Sequence, residues 1–183
     1  MPVALLLASL LQGAAPTSTT ASTPWMVTTK VGSASTATST SVWSQDGSAR
    51  LVVRCDAAAE KIVSIQFIPR GGFPAALPRP VSMNIDDNGW LGANWQFPGS
   101  GAFTSQDAIV TTLAAQLAHG RTIKVRVINP DNTPVDATFT GPATDAPVRR
   151  VLSACAYELG VVPARSATPV AAPATKPAPP EDE

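Results

Sequence analysis

One histidine, two cysteines and four tryptophans bound the chemistry open to this chain. His119 is the only imidazole. A nucleophilic site built on it needs a serine or cysteine within hydrogen-bond reach and a carboxylate to orient the ring. No G-x-S-x-G elbow or comparable motif supplies them. His119 falls instead in the last turn of a helical pattern, where an imidazole stabilises the helix dipole. Asp86 and Asp87 offer an adjacent carboxylate pair. Neighbours on a strand point to opposite faces, so the two converge poorly on one metal or one substrate. A hairpin end accounts for them, and turn chemistry accounts for Asp131 and Asn132. A two-carboxylate hydrolase stays open as the alternative, if a pocket gathers Asp86, Asp136 or Asp145. One histidine and two cysteines exclude a His-rich or Cys-rich metal site, and no cofactor motif is present.

The tryptophans and one pair of cations point to binding instead. Trp90 and Trp95 lie five apart on one short strand, so they face opposite sides, one towards a core and one outward. An exposed indole is a contact platform. Lys124 and Arg126 share the outward face of a later strand, with Arg121 beside them. They form either a charged edge that blocks aggregation or a patch for an anionic partner. The candidate binding surface is therefore Trp90, Trp95, Lys124 and Arg126.

The elements that must position these residues are mostly strands. Strands are read at Trp25 to Lys30, at Thr36 to Ser44 with its β-branched Thr and Val, at Arg50 to Cys55, and at Lys61 to Ile68, which alternates. In the last of these Val63, Ile65 and Phe67 make a wholly apolar face. Pro69 to Pro80 reads as a loop. Val81 to Asp86 and Trp90 to Phe97 read as a hairpin around Asp87-Asn88-Gly89, because Asn-Gly accepts positive φ at low cost. The period then changes. Ser105 to His119 places Ile109, Leu113 and Leu117 on one helical face, with Ser105 as N-cap and Gly120 as left-handed C-cap. Arg121 to Asn129 alternates again, Asn129 to Pro134 turns, and Val135 to Thr140 is the last strand. Asp145 to Leu159 reads as a second helix, capped by Asp145, with Pro147 in its first turn and Val148, Val151, Leu152, Cys155 and Leu159 buried. Grouped strands joined by turns, rather than strands alternating with helices, predict an α+β domain. Its twisted antiparallel sheet carries two helices.

The chain of 183 residues is long enough for one ordinary domain. Thirteen basic residues balance thirteen acidic ones, which argues against a general nucleic-acid binder. Residues Pro2 to Leu11 form an apolar run too short to span a bilayer, followed by small residues, as in a signal peptide. Residues 1–21 are thus assigned as signal peptide and leader, 24–160 as the single domain, and 161–183 as a disordered Pro/Ala-rich tail. No other stretch could span a membrane. An exported protein with two cysteines most simply pairs them, so Cys55 and Cys155 are assigned to one disulfide.

An ordered set of motifs runs through the domain. It comprises LVVRC (Leu51 to Cys55), VSMNIDD (Val81 to Asp87) and the Trp90/Trp95 pair. A helix, a strand ending at Phe139-Thr140-Gly141, and LSAC (Leu152 to Cys155) follow. This order resembles the small periplasmic proteins associated with type VI secretion, the VasI/TagO-like family, over roughly Trp43 to Leu159. Asn84 stands where that family has an arginine, and Pro69 to Pro80 is an insertion. The resemblance implies a non-enzymatic periplasmic accessory whose partner is an envelope or secretion-system protein. The expectation is a periplasmic or secreted binding domain, without cofactor, nucleic acid or membrane span.

Overall fold

The computed structural model describes residues 24–164. The assigned signal peptide and nearly all of the assigned tail lie outside the described residues. Four strands come first: β1 (Met26–Val31), β2 (Thr36–Trp43), β3 (Ala49–Ala57) and β4 (Lys61–Pro69). Then follow β5 (Ala76–Ile85), β6 (Trp90–Phe97), β7 (Ala102–Thr104) and α1 (Asp107–His119). β8 (Thr122–Ile128), β9 (Pro134–Thr140) and α2 (Ala146–Ala154) complete the domain. The strands form one sheet in the order β1-β2-β3-β4-β7-β6-β5-β8-β9. Every pairing is antiparallel. The fold is α+β, with both helices packed on the sheet.

The sheet curls until its two ends meet. The Gln45 amide, just past β2, donates to the Thr138 carbonyl of β9 at 2.8 Å. The Trp25 indole donates to the Thr140 carbonyl at 2.9 Å. Phe67 of β4 and Phe139 of β9 pack edge to face across the interior, 6.2 Å apart. Leu51, Val53, Val63, Ile65, Ile123, Val125 and Val127 line the same interior and are fully buried. Each such side chain contributes roughly 1.5–3 kcal/mol relative to exposure. In β4 and β8 this is the odd-numbered face that alternation picks out.

The helices close the concave side. α2 lies on β1, β2 and β3, and α1 lies on β4 and touches α2. Cys155, just past α2, is bonded to Cys55 of β3 with the Cα atoms 5.7 Å apart. The bridge spans 100 residues. Closing a loop of that length stabilises by about 4–5 kcal/mol on the chain-entropy account.

Several local expectations are corrected. The Pro69–Pro80 segment is not all loop, since β5 starts at Ala76 with a bulge before Arg79. β8 pairs only with residues 81–85 of β5. Towards β8, Pro78 and Pro80 therefore sit on an unpaired margin, where a missing N–H costs no ladder bond. The short β7, paired through only three residues to β4, is too brief to show a period. Ser105 does not cap α1: Gln106 occupies that place and makes no side-chain cap bond. Gly120 is extended (φ −70°, ψ 147°), not left-handed. A Cβ there would meet Ile85 Cγ2 at 2.5 Å, so close approach is what demands glycine. α2 ends at Ala154 rather than Leu159, because Ala156 turns left-handed at φ 60°. Asp145 makes no cap bond either, and instead pairs with Arg149 one turn on.

Candidate functional site

β6 is an interior strand that the sheet leaves open along most of one edge. It pairs with β5 from Trp90 to Phe97. On its other edge it meets β7 only at Gln96, opposite Phe103. Residues 90–95 thus have no strand on that side, and no turn or loop bond satisfies their backbone among the described residues. The cause is β7 itself: three residues cannot bridge β4 and β6 along their length. α1, leaving β7 through Ser105 and Gln106, runs beside the gap.

The two tryptophans of β6 fall on opposite sides. Trp95 points inward and is 1% exposed, while Trp90 points outward and is 47% exposed. The indole nitrogen of Trp95 is buried without a hydrogen-bond partner. Trp90 stands in register with Asn84 of β5, which in turn faces Lys124 of β8. Ser82 links Gly92 to Arg126 in the next row. Trp90, Lys124 and Arg126 therefore share the outer face, and Trp95 lies beneath it. Arg126 places its guanidinium 5.1 Å from the centre of the Trp90 ring.

Both cations are already matched. Arg126 makes a two-pronged pair with Asp136, at 2.7 and 3.0 Å. Lys124 Nζ reaches Asp87 at 2.6 Å. The face is an aromatic platform with neutralised charge. As exposed pairs these bridges hold side-chain geometry more than they stabilise the fold.

The turn before β6 is built from acids. Asp86 and Asp87 adopt positive φ, 52° and 58°, and so does Gly89, but Asn88 does not. The left-handed residues are thus the two aspartates, not the Asn of Asn-Gly; aspartate tolerates this region better than most side chains. Asp86 is not on the strand. Its carboxylate accepts the Thr122 amide at 2.8 Å and the Arg121 amide at 2.9 Å. These backbone bonds, with Thr122 first and Arg121 second, hold its pKa below the ordinary carboxylate value. The Asp86 amide donates back to the Thr122 carbonyl at 2.9 Å. The side chain ties the hairpin to the start of β8.

Two cavities follow the open edge on the concave side. One, of about 230 Å³, is lined by Val81, Met83, Leu91, Gly92, Ala93 and Trp95, with Ala108, Ile109, Thr112 and Leu113 of α1 opposite. None of these residues carries a charge. The other, of about 300 Å³, lies between Asp86, Asn88, Leu91, Gln116 and His119. Leu91 borders both, so they form one groove between β6 and α1.

The remaining candidate groups are engaged separately. Asp136 faces Arg126, Asp145 faces Arg149, and Asp86 binds main chain. The cavity holding Asp86 includes neither of the other two. His119 ends α1 and is exposed at the rim of that cavity. Among the described residues, no group of three or more His, Cys, Asp or Glu is placed to hold a metal ion, and no helix is long and apolar enough to cross a membrane. Sequence reasoning missed the α1 wall of the groove. Ala108, Ile109 and Thr112 lie on a helix whose apolar periodicity reads as core, and their neighbour β6 is joined only by tertiary structure. No family model, curated protein or solved structure matches the chain.

Proposed function

We propose that this chain is an exported, non-catalytic binding domain that captures a protein partner of the cell envelope through β6 and the face beside it. The observation that carries the reading is the open, uncharged length of β6 with Trp90 exposed at its start. Natural sheets blunt open edges with charge, proline or bulges. β1 carries Lys30, β9 carries Pro134 and Asp136, and the unpaired start of β4 carries Lys61. β6 carries no such device from Trp90 to Phe97. An aromatic side chain half in water, steadied by an arginine, is the kind of residue that dominates partner interfaces.

Export rests on the apolar run at Pro2 to Leu11 and on the Cys55–Cys155 bond, which belongs to oxidising compartments. The resemblance in motif order described above supports a periplasmic or secreted location and an association with a secretion system or the cell envelope. The test is capture from envelope extract, with the retained protein identified and then titrated as a purified partner. Trp90→Ala weakens that binding and leaves the melting temperature in place; His119→Ala changes neither. A partner bound equally by Trp90→Ala overturns the assignment of the face. An activity abolished by His119→Ala alone overturns the non-catalytic reading.

A further inference from the structure

Resting on that reading, we propose how the face takes its partner: an extended peptide segment joins the free edge of β6 as an added strand, and its alternate side chains enter the groove beside α1. Three observations converge on this. The main chain of residues 90–95 is extended and paired on one edge only, so it presents N–H and C=O groups at strand spacing. Another extended backbone matches such a row bond for bond, which is the basis of recognition by strand addition. The groove lies on the same side as Leu91 and Ala93, where inward side chains of an added strand would point. Its apolar cavity, about 230 Å³, is smaller than the roughly 300–1,000 Å³ of drug-sized ligand pockets and suits individual aliphatic side chains.

Charge defines the segment further. The apolar cavity has no charged lining residue, so a charged side chain entering it would be desolvated without a partner. The acidic group of the second cavity is Asp86, whose field disfavours a carboxylate there. The segment is therefore apolar at alternate positions over Ile109 and Leu113, free of acids at the Asp86 end, and without proline where its amides face β6. A second copy of this chain pairing β6 with β6 is the competing occupant.

The test uses a phage-displayed library of random linear peptides selected on the intact, oxidised domain. Enriched peptides are then synthesised with N-methyl groups on alternate residues, in both phases. Strand addition predicts that one phase weakens binding by about tenfold or more while the other is tolerated, because only every second amide faces the edge. Ile109→Lys and the more exposed Thr112→Arg, each checked by its melting temperature, also weaken binding. Failure to enrich any peptide, equal effects of both methylation phases, or indifference to both groove variants overturns the proposal. So does concentration-dependent dimerisation that the selected peptide leaves unchanged. Binding lost in Trp90→Ala without a methylation phase removes strand addition but keeps the binding face. Indifference to Trp90→Ala as well removes both.

Discussion

β3 and β6 are both interior strands of the same sheet, yet they are used in opposite ways. β3 is paired on both edges from Arg50 to Ala57, without a break. Leu51, Val53 and Cys55 are fully buried, and the disulfide fixes the strand to α2. β6 is paired along one edge, and its first three residues are exposed. β3 keeps its polar exterior occupied internally, as in the Arg54–Asp56 pair, where three hydrogen bonds of 2.6–3.0 Å run between neighbours on one face. At β6, the outward indole and the backbone edge of residues 90–95 remain available. The difference teaches where stability and recognition separate: the fold is anchored at β3 and α2, and the free surface lies at β6.

Removing the anchor has the largest expected effect. Cys55→Ala with Cys155→Ala costs about 4–5 kcal/mol by the chain-entropy account, read as a fall in denaturation midpoint. A midpoint within experimental error of the oxidised domain would break the comparison at its stable end. Next comes the buried half of the β6 pair. Trp95→Ala leaves a large void and costs about 3–5 kcal/mol. That corresponds to a fall of roughly 10 °C or more in melting temperature. Trp90→Ala, five residues earlier, leaves the melt unchanged and weakens partner binding by about 2 kcal/mol, measured by titration. The smallest effect is acid sensitivity. Ser44 and Ser48 hold the Asp46 pKa down to about 2 from 3.8, and main-chain bonds lower that of Asp86. The folded state thus takes up protons on these groups at lower pH than the unfolded state. Their stabilisation is complete above the ordinary carboxylate range and fades as pH falls from about 4 towards 2. Melts across that range should decline gradually, and Asp46→Asn should flatten the slope.

Much of the scaffold is legible in the sequence because the relevant signals are local. Alternation in KIVSIQFI and RTIKVRVI identifies the buried faces of β4 and β8, and the two cysteines find each other. The opposite facing of Trp90 and Trp95 follows from parity alone. Other features depend on distant chain. Gly120 marks a close approach to Ile85, and a glycine after a helix looks the same in sequence whether it turns left-handed or merely makes room. Asp86 looks like a strand residue until β8 brings the Arg121 and Thr122 amides to it. The open edge is invisible to periodicity, since it is created by the brevity of β7 and by a strand order that places β7 between β4 and β6. The pairing of Arg126 with both Asp136 and Trp90 joins three strands, β8, β9 and β6, that no local pattern relates.

Residue-resolved amide hydrogen exchange on the oxidised domain tests the central claim most directly. Amides of β3 have ladder partners on both edges, whereas those on the outer edge of β6 between Trp90 and Trp95 face no strand. The account predicts slow exchange throughout the core of β3. In β6 it predicts alternating slow and fast exchange, with the fast amides becoming protected when partner is bound. Uniformly slow exchange along β6 in the free domain, or fast amides that stay unprotected in the complex, would contradict it.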